Sequence, residues 1–196
     1  MHRKFGPAVV GLGLAVLSVL GTGSAWSHGY TDAPISRQKL CANGAVTNCG
    51  DIQWEPQSVE GPKGFPSLGP SDGTLCAGGN SRFAQLDNPR GGTGWPATKV
   101  TVNQSYSFRW QFTASHATSD FRYYITKQGF DPSRPLTRSA LTLTPFLTVD
   151  YHGARPPATV THQGTMPSRT GKHIILAVWS VADTGNAFYA CSDVQF

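Results

Sequence analysis

Two histidines have the side chains and positions needed for metal chemistry, His28 and His116. His28 follows a segment with the features of a removable export signal, so cleavage after Ser27 would place it at a free N-terminus. There its α-amino nitrogen and its ring Nδ1 could chelate one metal ion together. His116 follows a β-rich run in a small polar segment, where a loop could present its ring as the third nitrogen.

Three nitrogen ligands without a thiolate or carboxylate suit Cu(II), which prefers tetragonal sites, whereas zinc prefers tetrahedral ones. All three nitrogens must be unprotonated, so we expect the affinity for copper to weaken in mild acid. The alternative is that His28 is an idle residue on a ragged N-terminus. We expect the remaining mature histidines to be solvated or hydrogen-bonded in place: His152 and His162 in turns rich in Gly and Pro, and His173 at the start of an apolar strand.

The export signal is predicted from the order of three zones at the start of the chain. A basic segment, Met1–Lys4, precedes an apolar stretch, Ala8–Leu20, and the small-residue approach Ala25-Trp26-Ser27. The alternative, a membrane anchor, needs about 20 apolar residues, and this stretch is shorter and contains glycines. We therefore predict a cleaved signal peptide over residues 1–27 and a secreted, extracellular protein without a membrane span.

Length and charge limit the mature chain to a simple organisation. Removing 27 of 196 residues leaves 169, which suits one domain over residues 28–196. The signal contains two of the 16 basic residues and none of the 11 acidic ones, so the mature net charge is +3. The basic residues do not cluster, which argues against a nucleic-acid partner. We expect a monomer.

All four cysteines lie beyond the cleavage point, and an even number in a secreted chain indicates disulfides. Three pairings are possible. We favour Cys41 with Cys49, which closes a short loop, and Cys76 with Cys191, which ties a long N-terminal loop region to the final strand. A structural zinc site is the alternative, but the sequence has no CxxC pair.

From Lys99 onward the pattern indicates strands. Apolar residues alternate from Val100 through Val102 and from Tyr106 to Phe112, and further β-rich runs cover 121–126, 141–149, 173–181 and 187–196. Regularly spaced strands with turn signals predict an all-β, antiparallel sandwich of the immunoglobulin or fibronectin III type. Residues from about Leu40 to Gly94 are rich in Gly and Pro, and we predict one long ordered loop with short helical turns.

Five segments, in order, carry a resemblance to a known family. They are His28-Gly29-Tyr30, the segment from Trp54 to Gly61 (WEPQSVEG), His116, the segment from Leu143 to Phe146 (LTPF) and the segment from Asp183 to Tyr189 (DTGNAFY). Together they resemble the bacterial chitin-binding lytic polysaccharide monooxygenases of auxiliary activity family 10. The resemblance extends over the whole mature chain, from His28 to Phe196.

The resemblance implies a β-sandwich in which the long loop forms most of a flat face. It implies one copper ion held by the amine and ring of His28 and by the ring of His116. By the same resemblance Phe188 takes an axial position near the copper, Ala114 crowds the opposite axial side, and Glu60 is a nearby carboxylate that influences proton delivery. Without the resemblance, Phe188 would be interpreted as a core aromatic and Glu60 as a solvated loop residue.

The resemblance also implies that Trp54, Glu55, Asp183 and Asn186 surround the copper and bind substrate, with the indole flat on a sugar ring. Some relatives have tyrosine in place of Trp54, which also stacks. Other relatives have a disulfide near the positions of Leu147 and Gly164, so their connectivity should not be transferred to this chain.

The function implied is oxidative cleavage of β-1,4 bonds in crystalline chitin with attack at C1. It requires an external electron donor and hydrogen peroxide or dioxygen. The alternatives are a non-catalytic chitin-binding protein that uses the same face, and the same chemistry on cellulose. A zinc hydrolase is not supported, since HExxH is absent, and Glu55 and Glu60 give no spacing from which to infer a glycosidase.

Overall fold

The computed structural model describes Met1, His2 and residues 28–196. The predicted signal peptide therefore lies, apart from its first two residues, outside the described part of the chain. Within the described ranges, no helix has the length and apolar character to cross a membrane. The elements are β1 His28–Ala33, α1 Arg37–Ala42, β2 Glu60–Pro62, β3 Thr98–Lys99, β4 Ser105–Ala114, β5 Thr118–Thr126, β6 Leu141–Asp150, β7 Thr159–Thr165, β8 Lys172–Val181 and β9 Asn186–Gln195.

These strands form two sheets. The smaller has the order β1-β4-β7, and the larger has the order β2-β9-β8-β5-β6, with β3 pairing in parallel with β9. All other pairings are antiparallel. This confirms the predicted β-sandwich.

Aromatic side chains fill the space between the sheets. Phe108, Trp110 and Phe112 are buried on one face of β4, as the alternation predicts, and the Phe112 ring lies 4.7 Å from that of Trp179 on β8. Each such ring, when fully buried, contributes on the order of 2–3 kcal/mol. Val102 precedes β4 and is exposed, which corrects the expectation that it lies on a strand with one buried face.

The long loop is ordered over its own apolar core. It contains three 3₁₀ helices, Gly50–Gln53, Ser81–Leu86 and Arg90–Gly92, which confirms the predicted helical turns. Ile52, Leu75 and Phe83 are buried beneath it. Disulfides join Cys41 to Cys49 and Cys76 to Cys191, the two pairings favoured from the sequence. The sequence did not predict α1, nor the short strand β2 that joins this loop to the larger sheet.

Strand β7 was also not predicted, and it corrects the placement of His162. That residue lies within the strand, 5% exposed, rather than in a turn. Its Nδ1 lies 2.7 Å from the hydroxyl of Tyr123, and burial lowers its pKa to about 4. His162 and His173, whose Nδ1 lies 2.8 Å from the Thr126 hydroxyl, are thus hydrogen-bonded in place, as expected.

Leu147 on β6 and Gly164 on β7 touch between the two sheets. A Cβ added to Gly164 would lie 2.9 Å from Leu147 Cδ2. The positions at which some relatives have a disulfide are therefore occupied here by an apolar contact.

Candidate metal centre

Strand pairing brings His28 and His116 to the same end of the smaller sheet. β1 runs antiparallel to β4, and the Cα partner of His28 is Ala114, the last residue of β4. His116 follows two residues later, in the turn that leads to β5 at Thr118. The backbone N–H of Gly29 donates to Gln57 O at 3.0 Å, which fixes the start of β1 against the long loop. The register thus places together two residues that are 88 positions apart.

The ring of His116 is 6% exposed, and its Nδ1 is buried without a hydrogen-bond partner among the described residues. The nearest carboxylate, Asp183 Oδ1, lies 3.6 Å away. A buried polar atom without a partner is unfavourable by about 1–3 kcal/mol, which is typical of a functional position. Within residues 1–2 and 28–196, no group of three or more His, Cys, Asp or Glu side chains is arranged to hold a metal. The imidazoles of His28 and His116 therefore need a further donor to hold a metal ion. The amine that cleavage before His28 would expose is such a donor, and three nitrogen ligands suit copper.

A chain of contacts behind His116 holds its turn in place. The Thr118 hydroxyl donates to His116 O at 2.9 Å and accepts from Trp179 Nε1 at 2.8 Å. The Trp179 ring in turn stacks on Phe188, with centroids 4.8 Å apart. Phe188 is fully buried. Phe188 therefore packs as a core aromatic, and its stacking partner is the residue that braces the His116 turn.

Glu60 is positioned by the pairing of β2 with β9. Its Cα partner is Phe188, and Pro62 is opposite Asn186. The side-chain amide of Asn186 donates to Glu60 Oε1 at 2.7 Å. The long loop also packs closely against β2, since a Cβ added to Gly61 would lie 2.0 Å from the carbonyl oxygen of Gly78. The structure therefore brings Glu60 and Asn186 together in a fixed arrangement.

The turn between β8 and β9 carries Asp183 towards His116. The Ala182 N–H donates to Ala117 O at 2.7 Å, which joins this turn to the one that carries His116. From the other side, Lys63 Nζ donates to Val181 O and Thr184 O, both at 2.6 Å. The residue after β2 thus holds the turn that contains Asp183.

An open depression of about 460 Å³ is lined by four of the predicted site residues. Its lining includes His28, Glu55, Glu60, Arg82 and Asn186. Trp54 does not line it but projects from the adjacent 3₁₀ helix and is 81% exposed. The structure thus brings four of the predicted site residues together at this depression, whereas Ala114, His116, Asp183 and Phe188 do not line it. His152, which was expected in a turn and not at the site, is exposed and lies in the turn after β6.

Sequence reasoning missed Arg82 and Lys63. Each makes two contacts that position a predicted site residue or its turn: Arg82 with Asp51 and Glu55, and Lys63 with the turn around Asp183. Neither residue belongs to a motif that predicts such contacts, because both act through partners far away in the sequence.

Comparisons with known proteins extend over most of the chain. Residues 28–194 match a family model described as lytic polysaccharide mono-oxygenase, cellulose-degrading. The chain is 49% identical over 174 residues to an AA10 family lytic polysaccharide monooxygenase C of Mycosarcoma maydis, covering 87% of this chain and 52% of that protein. It is 44% identical over 191 residues to GlcNAc-binding protein A of Shewanella oneidensis, covering 96% of this chain and 40% of that protein. The chain thus spans about half the length of these curated relatives, or less.

Solved structures are similar across the fold. An AA10 lytic polysaccharide monooxygenase from Streptomyces lividans superposes with a TM-score of 0.84 at 63% identity, covering 86% of this chain and all of that one. A CBM33 protein of Bacillus amyloliquefaciens in complex with Cu(I) gives a TM-score of 0.78 at 39% identity, covering 86% of this chain and 99% of the other.

Proposed function

The chain belongs to family 10 of the lytic polysaccharide monooxygenases, and on that premise we propose that it is a secreted, copper-dependent monooxygenase that cleaves β-1,4 bonds of crystalline chitin by oxidation at C1. The observation that carries the proposal is the register of β1 on β4, which sets His28 opposite Ala114 and beside the turn of His116. The substrate assignment is supported by the Trp54–Gly61 segment and by a relative named for GlcNAc binding.

Copper would be held by the ring of His28, by the amine that cleavage before it exposes, and by the ring of His116. When bound, it supplies the one-electron redox chemistry by which dioxygen or hydrogen peroxide becomes able to attack a C–H bond. Ala114, opposite His28 in the strand pair, would limit access to the metal, and Phe188, opposite Glu60, would help to exclude water from it.

Glu60 would control a proton at this site. Asn186 binds only Oε1, so the second oxygen, Oε2, remains able to accept or donate a hydrogen bond to an oxygen species. Because the Asn186 contact and the β2–β9 pairing fix the carboxylate before substrate arrives, little reorganisation is needed when the proton moves.

The exposed groups around the depression would bind the polymer. Trp54 offers an indole face to a sugar ring, and Glu55, Asp183 and Asn186 offer hydrogen bonds to hydroxyl and acetamido groups. An open surface suits a crystal, since a deep cleft would require a chain to be lifted out of its lattice first.

The test is to incubate copper-loaded protein that begins at His28 with β-chitin and ascorbate, and to search for aldonic-acid oligosaccharides by mass spectrometry. We expect them from chitin, with cellulose run in parallel to test the alternative substrate. Binding to chitin without oxidised products would instead support a non-catalytic chitin-binding protein.

A matched control tests the metal ligands. Protein with one additional methionine before His28 has an amide in place of the terminal amine, so we expect calorimetry to show loss of tight copper binding. Equal copper affinity in the two proteins would contradict the proposed ligand set.

A further inference from the structure

Arg82 ties together the residues on either side of the exposed Trp54. Its Nε donates to Asp51 Oδ2 at 2.9 Å, and its Nη2 contacts Glu55 Oε1. Asp51 precedes Trp54 by three residues, and Glu55 follows it directly. One guanidinium therefore links both ends of the turn that presents the indole.

The indole itself has little packing to orient it, because Trp54 is 81% exposed. Its backbone is better held: the Trp54 N–H donates to Asp51 O at 2.9 Å, and the buried side chain of Ile52 fixes the turn to the core. The position from which the indole projects therefore depends on how rigid this turn is more than on packing of the ring.

Arg82 can supply that rigidity because its own backbone and guanidinium are held in place. Its backbone N–H donates to Asn80 Oδ1 at 3.0 Å, and the next residue, Phe83, is buried. The guanidinium also lies over the Phe83 ring, 5.5 Å from its centroid. A single exposed ion pair contributes little to stability, but a planar guanidinium that meets two carboxylates restricts the orientation of both.

We propose that Arg82 is a positioning residue that holds Trp54 and Glu55 in the arrangement that binds a neutral polysaccharide. The inference rests on the proposed function of the face. A turn that is already ordered loses less conformational entropy when the polymer binds. Pairing with Arg82 also compensates the charge of Glu55 at the edge of the depression, where a neutral polymer would lie.

A direct contact between Arg82 and the sugar would also weaken binding when the residue is removed, because Arg82 lines the depression. Asp51 separates the two explanations. Asp51 does not line the depression, so Asp51→Asn breaks half of the clamp without removing a group that lines it. If Arg82 acts only by touching the sugar, this variant binds chitin as the wild type does.

The first experiment measures chitin-binding isotherms at low and high salt for Arg82→Ala, Arg82→Lys and Asp51→Asn. We expect Arg82→Ala and Asp51→Asn to bind roughly threefold to tenfold more weakly, and Arg82→Lys to fall between them and the wild type. The affinity of the wild type should decrease with salt, and that of Arg82→Ala should not. Arg134→Ala, which removes an exposed cation from a different cavity, is the control and should bind normally. Copper affinity should be unchanged in all four variants.

The second experiment does not need chitin. The indole N–H of Trp54, assigned by its absence in Trp54→Phe, should show a lower heteronuclear NOE in Arg82→Ala and Asp51→Asn than in the wild type. Wild-type affinity in Asp51→Asn, or an unchanged indole NOE in both variants, overturns the proposal. Failure of the wild type to bind chitin would count against the proposed function, and the NOE alone would then decide whether the clamp exists.

Discussion

Gly61 offers a direct test of how the long loop positions Glu60. A Cβ at this position would lie 2.0 Å from Gly78 O and 2.8 Å from Gly78 C, and real Cβ atoms essentially never approach closer than 3.0 Å. The obstructing atoms are backbone, so no side chain can rotate away. In Gly61→Ala, β2 or the Gly78 segment must therefore move by at least about 1 Å, the difference between those two distances.

Two effects of different size should follow. The strain should lower the free energy of unfolding by about 1–3 kcal/mol, which for a domain of this size lowers Tm by roughly 2–12 °C. A shift of about 1 Å in Glu60 should reduce the rate of chitin oxidation by on the order of 100-fold. Copper affinity should be retained, because His28 and His116 are on β1 and on the turn after β4.

The matched control is Gly185→Ala, on the β8–β9 turn. A Cβ added there has no atom within 4 Å. It should leave Tm and the rate of oxidation unchanged. Differential scanning calorimetry, copper calorimetry and product release from β-chitin measure the three quantities. The reasoning would be refuted if Gly61→Ala had the Tm and the rate of the wild type, or if it lost copper affinity as strongly as activity.

Three further changes test other parts of the site and the fold. His116→Ala should weaken copper binding and stop oxidation, whereas His152→Ala should do neither; calorimetry that shows equal losses would contradict this. Lys63→Met removes two hydrogen bonds to the turn of Asp183, so chitin binding should weaken severalfold and stability should fall by about 1–2 kcal/mol; unchanged isotherms and unchanged Tm would argue against the role of Lys63. Burial raises the pKa of Asp87 to about 6, above its value of about 3.9 in an unfolded chain, so the folded state binds this proton more tightly. Stability should therefore fall by about 3 kcal/mol as pH rises from about 4 to 6, and Asp87→Asn should lack this component when unfolding curves of the two proteins are compared across that range.

The sandwich was predictable because its strong strands carry their signal locally. Phe108, Trp110 and Phe112 alternate with polar residues, as a strand with one buried face requires. Strand β7, Thr159–Thr165, was missed because its sequence is mostly polar. Val160 is its one large apolar residue, and the buried position two residues later is a histidine, His162. Its place is determined by pairing with β4, which a single sequence does not show.

The long loop shows the same limit. Its order could be expected from Trp54, Phe65, Phe83 and the cysteines, but its contacts could not. Arg82 reaches Asp51 across 31 positions, and Lys63 reaches Val181 across 118. Such ion pairs and carbonyl contacts follow from the path of the chain, and no local pattern specifies them.

The start of β1 shows what the sequence could not predict about the candidate metal site. His28 is opposite Ala114 but Gly29 is opposite Phe112, so the register shifts by one residue between them. Such a bulge re-aims the side chain next to it, and without it His28 would face the other side of the sheet. Gly29 makes the close approach possible, because a Cβ there would lie 2.7 Å from the ring of Phe112. Glycine after His28 is therefore required by the packing of Phe112, which also contacts Trp179 behind the turn of His116. The pair His28-Gly29 thus serves both the proposed metal site and the core, and a larger residue at position 29 would disturb both together.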